Sequence, residues 1–97
     1  MYRVLEAPGP VLVDFWAPRC GPCRTMEPVR EALARDYKVC KVNVDTNPQL
    51  ATRYRVESIP ALVVFKGGQE AARHVGVTSE AVLRRELEGL SGPAVQR

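Results

Sequence analysis

The sequence predicts an α/β fold, a central mixed sheet flanked by helices on both faces. Two observations carry this. Apolar runs of strand length, Val11–Trp16 and Ala61–Phe65, alternate with stretches of helical period, and strands that read as apolar throughout need helices over both faces. The glycine pair Gly67-Gly68 then joins the third strand to a fourth, adding an antiparallel hairpin to a sheet that begins parallel. With 97 residues, 45% of them hydrophobic and 26% charged, the chain is expected to form a single domain over 1–97, its core spanning about 11–90 and 91–97 forming a tail.

The elements follow in order β-α-β-α-β-β-α. Val11–Trp16 (V-L-V-D-F-W) is rich in β-branched and aromatic residues and is interrupted only by Asp14. After Ala17-Pro18-Arg19 and Cys20-Gly21-Pro22-Cys23, a helical stretch runs to about Asp36, with Met26, Val29 and Leu33 at core spacing. Pro22 suits a first turn, whereas Pro28 falls inside the stretch and should kink it. Val39–Val44 is the second strand, and Asp45-Thr46-Asn47-Pro48 turns into a short helix toward Tyr54. Ser58-Ile59-Pro60 precedes the third strand, and the fourth occupies about Ala71–Val75 before Gly76 breaks it. Thr78 and Ser79 are both N-cap candidates for a last helix with its core stripe at Leu83, Leu87 and Leu90, ended by Gly92-Pro93.

Composition removes several classes of function. The net charge of +3 comes from eleven arginines and three lysines scattered among carboxylates, and Arg84-Arg85 is their one adjacent pair. That distribution reads as a solvated surface rather than a nucleic-acid stripe. No apolar run approaches the roughly 20 residues of a membrane span. Met1–Pro10 contains Glu6, Pro8, Gly9 and Pro10 and lacks the apolar core of a secretory signal, so the expected compartment is the cytoplasm. Three cysteines are too few, and of the wrong parity, for a disulfide-stapled scaffold.

Two of those cysteines are two residues apart at a helix start. Such a pair can close a disulfide with little backbone movement, and the first thiol lies over unpaired N–H groups that favour its thiolate. Cys20 thus fits an exposed attacking thiol and Cys23 a shielded resolver, the combination that dithiol–disulfide exchange requires. A structural disulfide is one alternative. A Cys20/Cys23/Cys40/His74 zinc site is another, although Cys40 and His74 come as single residues within strands rather than as a paired knuckle. Cys40 otherwise reads as a small buried hydrophobe, and His74 as a surface residue of the hairpin.

Asp14 and Lys41 interrupt neighbouring apolar strands. An unpaired buried carboxylate is costly, so Asp14 either faces a polar loop or is a buried carboxyl of raised pKa beneath the dithiol, able to take the proton of Cys23 and paired with Lys41. Pro60 stands directly before a strand. A cis Ile59–Pro60 bond would form a corner with backbone groups free for an extended substrate, but spacing alone leaves cis and trans open.

Together these residues resemble the thioredoxin family. Val11–Cys23, Lys41–Asp45 with Asn47-Pro48, Ser58–Leu62, Phe65–Gly68 and Gly76 match its strand and dithiol, second strand and turn, proline corner, hairpin and groove glycine, over about Val11–Leu90. The resemblance implies a protein-disulfide reductase with Cys20 attacking, Cys23 resolving, Asp14 accepting the proton and Lys41 modulating it. It also implies a substrate groove built from Trp16, Arg19, Gly21, Pro22, Ile59, a cis Pro60 and Gly76. No bound cofactor or metal is expected; electrons should come from a separate recycling reductase and pass to disulfide-containing proteins, without nucleic acid or membrane partners. The Gly-Pro pair between the cysteines points to the reducing branch. The rival readings are a groove that only binds a partner, and a cysteine-based metal carrier.

Three features depart from the family pattern. Arg19 stands where a second tryptophan is usual, so it is expected to tune the dithiol and select partners. The balance of charge is basic rather than acidic. Before Val11 the chain is short for the family's first strand and helix. That leaves the 38–44 strand as an expected open edge and the protein mostly monomeric with weak self-association.

Overall fold

The computed structural model describes residues 8–91. The stretch 1–7, where the shortened N-terminus was expected, lies outside them, as do Gly92-Pro93 and the 94–97 tail. The described elements are β1 (Val11–Trp16), α1 (Gly21–Thr25), α2 (Glu27–Ala34), β2 (Lys38–Asn43), α3 (Pro48–Arg53), β3 (Ala61–Lys66), β4 (Gln69–Val75) and α4 (Glu80–Ser91).

The sheet has the order β2-β1-β3-β4. β1 pairs parallel with β2 and antiparallel with β3, and β3 pairs antiparallel with β4. The predicted mixed sheet is therefore present, with β1 and β3 central. Both are buried from end to end, apart from their last residues, which explains their continuous apolar reading. Alternation splits their side chains between two cores. Val11, Val13, Phe15, Val63 and Phe65 face α3, where Leu50 and Tyr54 pack on them. Leu12, Leu62 and Val64 face α2 and α4, meeting Met26, Leu33, Leu83 and Leu87.

The single helix expected after the dithiol is two. It breaks at Met26, two residues before Pro28, because Pro28 lacks an N–H and its ring cannot share space with the carbonyl of residue 24 in a continuous helix. Pro28 instead sits in the first turn of α2, where its N–H would be unsatisfied anyway. Between β3 and β4, Gly67 and Gly68 have φ of 62° and 80°, the positive values a two-residue hairpin turn demands. Ser79 Oγ accepts from the Val82 N–H at 3.2 Å, so Ser79 rather than Thr78 caps α4.

Candidate active site

The dithiol lies where β1 gives way to α1. Cys20 is the N-cap of α1, and its Sγ accepts from the Cys23 N–H at 3.1 Å. The two cysteines are joined as a disulfide with Cα atoms 5.2 Å apart. Cys20 keeps 8% of its surface and Cys23 2%, so the first sulfur is the more accessible. Gly21 and Pro22, between them, are exposed. Ala17 underlies the pair, and Trp16, Val44 and Ile59 pack against it.

The corner expected at Pro60 is present: the Ile59–Pro60 bond is cis. It brings the Ile59 carbonyl oxygen to 3.8 Å from Cys20 Sγ. Gly76 donates its N–H to the Pro60 carbonyl at 2.8 Å. A Cβ on Gly76 would meet nothing within 4 Å; its φ of 97° is what calls for glycine. Val75 and Val77 beside it are 59% and 57% exposed, an apolar rim that the sequence alone did not mark. A cleft of about 530 Å³ opens beside the dithiol, lined by Arg19, Asp45, Val44, Pro48, Val56 and Ile59.

Asp14 has no exposed surface, but its partner is not Lys41. Lys41 stands opposite it in the β1–β2 register, yet its side chain is exposed and its ammonium lies over the Trp16 ring, 5.1 Å from the centroid. The long flexible stem lets the charge remain in water while the cation meets an aromatic face. Asp14 instead accepts from Arg30 Nη1 at 2.7 Å through Oδ2, and Oδ1 has no partner among the described residues. Burial pushes the Asp14 carboxyl above its ordinary range. The Arg30 hydrogen bond and charge and the Lys41 charge pull it down without cancelling that, and Glu27 adds a smaller upward push. Arg30 was missed, although it shares the helical stripe of Met26 and Leu33, where a cation stands out.

Arg19 does not extend freely over the dithiol. It makes a two-nitrogen contact with Asp45, at 3.1 to 3.3 Å, at the mouth of the cleft. Its charge is thus shared with a carboxylate, which reduces the field it can apply to Cys20. The Trp16 Nε1 hydrogen has no acceptor among the described residues.

The zinc set is dispersed. Cys20 and Cys23 bond to each other, and Cys40 on β2 packs half-buried on the α3 face. His74 lies on β4 at the other end of the sheet. Its Nε2 is 2.8 Å from Glu86 of α4, so it is a half-buried, partnered residue rather than a surface one.

The thioredoxin family model matches residues 2–89. Thioredoxin 1 of Nostoc sp. is 51% identical over 90 residues, covering 89% of this chain and 84% of the relative. A bifunctional thioredoxin reductase/thioredoxin of Mycobacterium leprae is 47% identical over 88 residues, 87% of this chain and 19% of the longer protein. Among solved structures, a mutant thioredoxin of Halobacterium salinarum superposes with a TM-score of 0.87 at 38% identity, over 92% of this chain and 80% of that one.

Proposed function

The chain belongs to the thioredoxin family and is a dithiol–disulfide reductase, and on that premise we propose how its residues divide the work. In the reduced protein the Cys20 thiolate attacks one sulfur of a protein disulfide. The target S–S bond breaks, one target thiolate leaves, and a Cys20–target mixed disulfide forms. Cys23 then loses its proton to Asp14 and attacks Cys20 Sγ, expelling the second target thiolate and closing the Cys20–Cys23 bond. The observation that carries this reading is that bond, seated at a helix start with its more accessible sulfur beside the cis-proline corner.

The roles of the neighbours follow from position. Ile59, Pro60 and Gly76 line the groove that receives a target strand. Trp16, Gly21 and Pro22 supply the surface around the attacking sulfur, and Arg19 with Asp45 selects targets at the cleft mouth. Lys41 acts on Asp14 only through its charge, a smaller part than the direct pairing expected of it. Residues 1–97 work as one domain. Two electrons return to the disulfide from a separate thioredoxin reductase-like protein, a pairing supported by the Mycobacterium leprae relative whose name joins both activities in one chain. The working compartment is the cytoplasm; among the described residues no helix is long and apolar enough to cross a membrane. Weak self-association runs through the 38–44 strand, which is a sheet edge among the described residues.

The test is reduction of a generic protein disulfide with dithiothreitol recycling the protein. Acceleration well above dithiothreitol alone, lost in Cys20→Ser and Cys23→Ser, is expected. Limited alkylation of the reduced protein should label Cys20 before Cys23 and Cys40. No acceleration, or first labelling at Cys23 or Cys40, would overturn the assignment.

A further inference from the structure

We propose that Arg30 is a positioning residue for the resolving step, holding one oxygen of the Asp14 carboxylate so that the other is free to take the Cys23 proton. The proposal rests on the reading of Asp14 as proton acceptor given above.

The geometry separates the two carboxylate oxygens. Oδ2 is taken by Arg30 Nη1 at 2.7 Å, and Oδ1 has no partner among the described residues. A forked contact would have occupied both oxygens; a single one leaves an acceptor in place. The two side chains are 11% and 0% exposed, so little solvent screens the pair. A guanidinium does not release its proton at working pH. The pair therefore alternates between carboxylate and carboxylic acid beside a fixed positive charge. Arg30 also lines a surface cleft with Glu31, Ala34, Val39 and Lys41, so it stands between the buried carboxyl and water.

Other charges reach Asp14 from the elements around it. Lys41 faces it from β2 and Glu27 from the first turn of α2. Across the sheet, Leu62 of β3 separates it from His74 of β4, which is held by Glu86 of α4. Cys23 of α1 is the proton donor in the step itself. Of the cations, Arg30 alone touches the carboxylate among the described residues. Its role is to keep Asp14 ionised at lower pH than burial alone would permit.

The chemistry balances without another reagent. The Cys23 thiol and Asp14 carboxylate become thiolate and carboxylic acid. The thiolate forms the Cys20–Cys23 bond as the mixed disulfide breaks, and the electron pair leaves on the target thiolate.

The test follows single turnover of the reduced protein with a chromogenic aromatic disulfide from about pH 5.5 to 9. The first thiolate released reports attack by Cys20 and the second reports resolution by Cys23. In Arg30→Met the second phase should slow on the order of tenfold near pH 6 and approach the parent near pH 9. Arg30→Lys should recover part of the loss. In an Asp14→Asn background, Arg30→Met should change nothing further. A second phase in Arg30→Met that superposes on the parent across pH, while Asp14→Asn alters it, overturns the role of Arg30 and leaves Asp14 standing. Second phases unchanged in both single variants overturn the Asp14 reading, and this proposal with it. If Arg30→Met does not fold, the neutral Arg30→Gln decides in its place: a second phase that superposes on the parent across pH, or an Asp14→Asn/Arg30→Gln double variant unlike Asp14→Asn, overturns the role of Arg30.

Discussion

Asp14 illustrates how a single side chain can lower stability and serve chemistry at once. Burial holds its pKa in the fold above the 3.8 of an ordinary aspartate. The folded state therefore binds the proton more tightly than the unfolded chain does. Stability is full below the unfolded pKa and is lost as pH rises through the folded one. Asp14→Asn should remove that loss. The variant is expected to be more stable than the parent at neutral pH, with the gap closing as pH falls toward the unfolded-state pKa. Urea titrations at several pH values check this; a parent as stable as the variant at neutral pH would contradict it. The strain on Asp14 was legible because a carboxylate within an apolar run has few explanations. Its partner was not: a register neighbour such as Lys41 is easier to foresee than an arginine whose reach depends on where a helix bends. The partner of Arg19 was hidden in the same way, because its acceptor Asp45 lies 26 residues further along the chain.

At the scale of elements, the strands came through clearly and the helix after the dithiol did not. The strand signal in β1 and β3 is a continuous apolar run of strand length, and both are buried along almost all of it. A helix break depends on where a missing donor and a ring clash take effect, and Pro28 acts toward residues before itself. The cis corner was ambiguous because no local pattern separates the two isomers at Pro60; in the fold the Pro60 carbonyl accepts from the Gly76 N–H. Gly76→Ala tests the need for glycine beside that corner. With no steric conflict around the added carbon, the cost is conformational, about 1 to 3 kcal/mol. In a domain of this size each kcal/mol lowers the melting temperature by roughly 4 to 8 °C. Thermal unfolding should show that drop together with slower target reduction, since the glycine and the corner are hydrogen-bonded. An unchanged melting temperature would show that the turn can relax.

For the molecule as a whole, two cores share one pair of strands, and the dithiol sits at the end of β1 where they meet. Closing the bond between Cys20 and Cys23 restricts only a four-residue loop of the unfolded chain. The chain-entropy account assigns such a short loop about 2 kcal/mol. The oxidised form should exceed the dithiothreitol-reduced form by about that much in urea denaturation, with the same dependence on denaturant. A reduced form of equal or greater stability would mean that interactions of the free thiols in the fold offset the loop term. Fold class and dithiol were readable from sequence because both rest on short-range patterns. The cleft beside the dithiol was not, because Arg19, Asp45, Pro48 and Ile59 come together only once the sheet and α3 are in place.

Trp16 is the one tryptophan of the chain, and it packs against Cys20 and Cys23 with a lysine ammonium over its ring. All indole emission from this protein therefore originates beside the cluster that holds its reactive cysteines. A disulfide is an efficient quencher at that range and a dithiol a poor one, so the native fluorescence is a built-in optical gauge of redox state. The same light would register a target docking over the ring. Turnover, recycling and partner binding can thus be followed in the unlabelled wild-type chain.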